Sequence, residues 1–150
     1  MKIGLISDTH GLLRPEALAA LQGCEHIVHA GDIGKPEVLD ALRALAPLTV
    51  VYGNIDLAKD WAQALAHTEV VTLGGIGLLV THERKDVPDT LPPGVQVVVT
   101  GHSHKPSLQT LDGVLFINPG SAGPRRFSLP VGLALAWLTD AGAQGQLITL

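Results

Sequence analysis

The 150-residue chain has a single cysteine, Cys24, and few aromatic residues: two Trp, two Phe and one Tyr. One thiol excludes an intramolecular disulfide and any zinc site built on several thiolates. Hydrophobic residues still make up 46% of the chain, so the core must be aliphatic, built from Leu, Val, Ala and Ile. No run approaches the ~18 apolar residues of a membrane span. The opening MKIGLISDTHG turns polar at Ser7, too early for the core of a signal peptide. No block of like charge stands out at a formal net charge of −4, so no basic stripe marks a nucleic-acid surface. The expectation is a cytoplasmic protein with neither membrane nor nucleic-acid partners. Such a charge balance does not exclude a small phosphorylated substrate.

At this length one domain over residues 1–150 is expected, with a sizeable core. No repeat, low-complexity tract or linker interrupts it. Apolar runs of strand length recur at Lys2–Ser7, His26–Ala30, Leu48–Tyr52, Glu69–Leu73, Ile76–Thr81, Val95–Thr100, Val114–Asn118, Gly132–Thr139 and Gln146–Leu150. Pro15 and Pro36 each open a helix, where a missing N–H costs nothing. The first continues to Leu21; the second places Val38, Leu39, Leu42 and Leu45 on one face. A weaker third helix is predicted over Lys59–Leu65. The first half thus reads β-α-β-α-β and the second half mostly strands with tight turns. Two sheets packed face to face with helices outside accommodate this α/β pattern. Asp86–Gly94 (DVPDTLPPG) is the most loop-like segment.

The unusual polar residues fall where strands end. SDTHG brings Asp8 and His10, HAGDIG brings Asp32, and YGNID brings Asn54 and Asp56. Thr81 is followed by His82, VVVT by GHSH with His102 and His104, and VLFI by Asn118. Ligands of α/β proteins bind beyond the carboxyl ends of strands, and glycine there lets backbone approach a ligand closely. Each residue also has a plainer explanation. Asp8, Asp32 and Asn54 suit helix N-caps, and His82, His102 and His104 suit turns. All of these must hold at once, and that conjunction is what argues for a site. His26, His29 and His67 lie in or beside strands and are read as structural, His29 less safely because it is close to Asp32.

Two Asp, one Asn and four His make seven N/O ligands without sulfur. That is too many for one catalytic zinc, and it suits two metals that share a carboxylate. Imidazole with carboxylate suits Mn²⁺, Fe²⁺, Zn²⁺ or Ni²⁺ over Ca²⁺ or Mg²⁺; Mn²⁺ is the expected pair. Such a pair polarises a phosphoryl oxygen and makes hydroxide available near neutral pH for in-line attack, with no side-chain nucleophile required. His104 and Asp56 are the side chains considered for proton transfer. Ser103 and Ser121 lack an acid–base triad.

In order along the chain, D-x-H (Asp8, His10), G-D (Gly31, Asp32), G-N (Gly53, Asn54), His82 and G-H-x-H (Gly101–His104) resemble the calcineurin-like metallophosphoesterases. GNID and NPGS resemble their small bacterial and archaeal phosphodiesterase branch. The likeness runs from Lys2 to about Arg126. It implies a four-layer α/β/β/α sandwich, two mixed sheets flanked by helices. It implies a first metal on Asp8, His10 and His104, a second on Asn54, His82 and His102, and Asp32 bridging. Asn118, Ser121 and Arg125 would lie near the product, the substrate would be a small phosphodiester, and a homodimer is common among such relatives. Three places depart from the pattern: GDIGKP lacks the Arg with which larger relatives could help hold phosphate, Ile55 stands where larger relatives carry a His that can protonate the leaving group, and Glu83 stands where small relatives often carry Gly. The rival reading is a non-catalytic or weakly catalytic metal-binding scaffold of the same fold. A decayed scaffold should have lost ligands, and all seven are present.

Overall fold

The computed structural model describes residues 1–150. Strands β1 (Lys2–Ile6), β2 (His26–His29) and β3 (Leu48–Val50) alternate with helices α1 (Pro15–Leu21) and α2 (Pro36–Arg43). Then come β4 (Thr68–Leu73), β5 (Ile76–Thr81), β6 (Val95–Val99), β7 (Ser107–Leu111), β8 (Val114–Asn118), β9 (Gly132–Thr139) and β10 (Gly142–Thr149). They form two five-stranded mixed sheets, ordered β10-β9-β1-β2-β3 and β4-β5-β6-β8-β7. No helix is long and apolar enough to cross a membrane.

Both faces of the central strands are buried, which is why they read as continuous apolar runs. From β1, Ile3 and Leu5 face the other sheet, where they join Leu78, Val80, Val97, Val99 and Ile117. Ile6 faces the helices and packs with Ala17, Leu21, Val38, Leu39 and Leu42. The helices lie close: a Cβ on Gly4 would overlap Leu21.

The two-sheet α/β architecture is the expected one. The layer outside the second sheet is thinner than a four-layer description implies. Leu79, Val95 and Val98 are covered there by Val87 and Leu91 of a loop that follows a single 3-10 turn, Arg84–Asp86, with no α-helix. Three local expectations are corrected. The helix over Lys59–Leu65 reduces to a 3-10 turn at Asp60–Ala62. β7 is an additional edge strand, and β10 starts at Gly142.

β1, β2 and β3 run parallel, as do β5, β6 and β8. Each parallel block therefore delivers its carboxyl-end turns to a single edge, where the polar turns collect. The core that fixes this arrangement gives a direct test. Leu78 is fully buried between the sheets, whereas Leu108 on the edge strand is 43% exposed. Leu78→Ala should lower unfolding free energy by about 2–5 kcal/mol, and Leu108→Ala by no more than about 0.5 kcal/mol, in urea titrations.

Candidate metal centre

The turn after β1 continues the pairing with the turn after β2: Asp8, His10 and Gly11 N–H donate to Gly31, Asp32 and Ile33 carbonyls at 3.0, 3.0 and 2.7 Å. Five non-glycine residues in these turns, Asp8, His10, Asp32, His102 and His104, adopt positive φ between 47° and 71°. Left-handed backbone at so many side-chain-bearing residues is costly and concentrates at functional sites. It aims the side chains back into the space between the turns. Gly101 is needed on steric grounds, because a Cβ there would overlap Ser7 Oγ.

Two groups of ligand atoms result, Asp8 with His10 and His104, and Asp32 with His82 and His102, each lying within 4.8 Å of one another. His104 Nε2 is 3.3 Å from Asp8 Oδ1 and 3.3 Å from His10 Nε2. His82 Nε2 is 3.3 Å from Asp32 Oδ2 and 3.1 Å from Asn54 Oδ1. His102 Nδ1 faces Asn54 Oδ1 at 3.2 Å. The groups adjoin, since Asp32 Oδ2 is also 3.7 Å from His10 Nε2 and Asp8 Oδ1 is 3.9 Å from His82 Nε2. All seven sequence-predicted ligands therefore converge.

Each carboxylate spends one oxygen on the scaffold and turns the other to the centre. Asp8 Oδ2 accepts from Ser7 Oγ at 2.6 Å and His102 N–H at 3.0 Å; Asp32 Oδ1 accepts from Ile55 N–H at 3.1 Å. Asp8 Oδ1 is buried without a hydrogen-bond partner, as is His104 Nδ1. His82 Nδ1 lies 2.7 Å from the Ala30 carbonyl, which can only accept, so Nδ1 carries the proton and Nε2 presents a lone pair. Asn54 Oδ1 faces acceptors only; turned over, its amide would instead donate to His82 Nε2 at 3.1 Å. An orphaned carboxylate oxygen, an imidazole fixed in the ligating tautomer and an inward amide oxygen all fit divalent cations.

Burial opposes the Asp8 anion, but the nearby imidazoles of His10, His104 and His82 and the Ser7 hydroxyl hold its carboxyl far below the usual range. Burial likewise opposes the Asp32 anion, and His82 outweighs it, so this carboxyl is also lowered. For His82 burial disfavours the cation, and Asp32 and Asp8 more than reverse this, raising its pKa. The two carboxylates thus demand positive charge between the sheets.

The surrounding residues are braces. Asp56 does not fit the proton-donor role: its buried carboxylate accepts the N–H groups of Ile33, Gly34 and Gly53 at 3.0, 3.0 and 2.9 Å and joins two turns. Asp8 and Asp32 are not caps, since α1 and α2 begin after Arg14 and Lys35 without side-chain capping bonds. Asn118 Nδ2 donates to the Gly101 carbonyl and Ser103 Oγ at 3.0 and 3.1 Å; Ser121 Oγ donates to the Asp8 carbonyl at 2.9 Å. Arg14 is bound to the Gly123 carbonyl, and Arg125 is exposed. His26 pairs with Thr49 and His67 with Asp86. Sequence reasoning missed two contacts. Ser7 buttresses Asp8, and Glu83 Oε1 lies 3.3 Å from His102 Nε2, opposite the Nδ1 that faces Asn54. Acidic partners of this kind fix a ligand's tautomer, and the only trace in the sequence was the departure from Gly.

His29 is fully buried and neutral. Its Nδ1 accepts from Gly31 N–H at 3.1 Å, so Nε2–H donates to Thr9 Oγ1 at 3.0 Å. Burial lowers its pKa from 6.5 to about 4, although nearby carboxylates work the other way. Below the ordinary value the unfolded chain binds a proton that the native state refuses. Stability is therefore lost as pH falls from about 6.5 toward 4, by up to about 3 kcal/mol. His29→Gln should be less stable at pH 7.5 but lose less between pH 6.5 and 4.5. Urea titrations in chelator at both pH values measure the difference.

The sequence profile of the calcineurin-like phosphoesterase superfamily domain matches residues 1–141. A probable metallophosphoesterase of Methanothermobacter thermautotrophicus is 33% identical over 146 residues, covering 90% of this chain and 85% of its own. A structure characterised as a novel archaeal phosphodiesterase superimposes with a TM-score of 0.77 at 23% identity, covering 99% of this chain and 100% of the other. Wild-type Vps29 of Entamoeba histolytica, in its complex with zinc, reaches 0.74 at 23% identity over 99% of both chains. At these identities the two structures speak for the fold alone, but the profile covers nearly the whole chain, and the protein belongs to the calcineurin-like phosphoesterase superfamily.

Proposed function

We propose that the protein is a phosphodiesterase that works with two divalent metal ions. Asp8, His10 and His104 hold one, Asn54, His82 and His102 hold the other, and Asp32 lies between them. The carrying observation is the Asp32 carboxylate: its inward oxygen stands 3.7 Å from His10 and 3.3 Å from His82, one histidine of each group. Ions bound there would act as Lewis acids toward a phosphoryl oxygen and lower the pKa of a bound water. A mixed set of imidazole, carboxylate and amide oxygen suits Mn²⁺, Ni²⁺, Fe²⁺ or Zn²⁺, and Mn²⁺ is the pair proposed. The name phosphodiesterase, carried by a relative from Methanocaldococcus jannaschii at 29% identity over 80% of this chain, supports the diester reading.

The protein's own groups set the rest. Asp8 and Asp32 supply fixed negative charge, and the backbone amides of Ile55 and His102 keep their outer oxygens from turning inward. The Ile55 side chain, 36% exposed, stands beside the centre and has no proton to give. Asp56 is committed to backbone amides.

Asp32→Asn should deplete both metals together, whereas His82→Ala should deplete mainly one; elemental analysis of the purified variants decides. A fully loaded Asp32→Asn protein contradicts the bridging role. Substrate preference follows from the missing acid. A positioned donor is worth about 10²–10⁴-fold for a basic leaving group and little for nitrophenolate. Metal-replete protein should therefore turn over nitrophenyl diesters at least about 10²-fold faster than alkyl diesters, in a comparison of initial rates. Equal rates would show that another residue donates the proton, and no metal-dependent turnover of any phosphodiester would overturn the activity itself.

A further inference from the structure

A groove on the outer face of the second sheet begins at the candidate metal centre. Its near part, about 320 Å³, is lined by the ligand His102 together with Ser103, Ser107, Gln109, Phe116 and Arg84. Its far part, about 370 Å³, again includes Arg84 and Phe116 and continues over Leu91, Leu111 and Val114. The two parts meet at Arg84.

The Arg84 guanidinium carbon lies 4.4 Å from the centroid of the Phe116 ring. Stacking on an aromatic face holds such a cation flat and leaves its N–H edge free. Neighbouring charges are already paired: Glu83 with Lys85 and His102, and Asp86 with His67. Arg84 has no carboxylate within salt-bridge distance. A planar fork of donors, held in place and unpaired, is suited to an oxyanion. Asp89 and Asp112 line the far part, so an anion is favoured at the Arg84 junction and disfavoured deeper.

We propose that this groove is the subsite for the non-reacting ester arm of the substrate, and that Arg84 selects an arm carrying an oxyanion. This rests on the phosphodiesterase reading and narrows it to diesters with a second anionic group. The polar near part, with Ser107 and Gln109, receives the start of the arm. Arg84 binds its oxyanion, and the apolar far part accepts whatever extends beyond.

The test compares p-nitrophenyl phenyl phosphate with the corresponding diesters bearing a 4-carboxyphenyl or a 4-phosphonophenyl arm, using Mn²⁺-loaded wild type, Arg84→Met and Arg84→Lys. Wild type should show a lower KM for one or both anionic arms. Arg84→Met should reduce that preference by about tenfold, the size expected of an exposed charge-assisted contact. Arg84→Lys, which keeps the charge without the flat fork, should restore part of it. Calorimetric titration with phenylphosphonate and 4-carboxyphenylphosphonate reads binding without turnover. A calorimetric preference that disappears in Arg84→Met, in a protein that hydrolyses none of the diesters, would sink the phosphodiesterase reading and leave the subsite standing. Hydrolysis of all three with equal KM, or a preference unchanged in Arg84→Met, would overturn the subsite and leave the activity intact.

Discussion

The hydrogen bond from His102 N–H to Asp8 Oδ2, 3.0 Å long, ties a turn of one sheet to a turn of the other. Much of the centre depends on it. With Oδ2 held by that amide and by Ser7, Asp8 has only Oδ1 to offer, and Oδ1 points at the histidines. The bond requires left-handed backbone at Asp8 and at His102, and no side chain on Gly101. It also requires that the two sheets pack in one register. The cross-sheet bond from His82 Nδ1 to the Ala30 carbonyl makes the same demand from the opposite direction.

These features are costly for the fold. Two buried carboxylates stand close enough that Asp8 works against the Asp32 anion, and five candidate ligand residues hold strained backbone. The aliphatic layer between the sheets offsets this, with Ile3, Leu5, Leu78, Val97 and Val99 largely or wholly removed from water. Rigidity at the core is what allows strain at the edge.

The sequence announces the elements that are buried on both faces. β1, β5 and β6 appear as largely apolar runs, and Pro15 and Pro36 mark the starts of α1 and α2 because a ring nitrogen suits the first turn. β7 escapes notice because all five of its residues are exposed, so neither alternation nor hydrophobicity marks it. The apolar residues of Lys59–Leu65 mimic helical spacing, but only one 3-10 turn forms before the chain must reach β4. The convergence of the candidate ligands was legible as a set because each follows a strand and a turn. Their partners were not: Ser7, His29 and Glu83 act through contacts between distant turns, which no local pattern encodes. Asp56 misleads for that reason, since its position beside Asn54 looks chemical and its three amide partners are structural.

The thin cover outside the second sheet has a consequence for how this scaffold can diversify. Where an α-helix would close the face, only the 3-10 turn Arg84–Asp86 and the loop beyond it lie over Leu79, Val95 and Val98. Loops accept insertions and substitutions more readily than packed helices do. The same segment starts two residues after the candidate ligand His82 and borders the groove that runs from His102. Changes in its length or charge can therefore remodel what lies beside the metal ligands while the two sheets, and the ligands fixed to them, stay as they are. In this part of the molecule the wall open to evolutionary drift and the wall that would choose a substrate are the same stretch of chain.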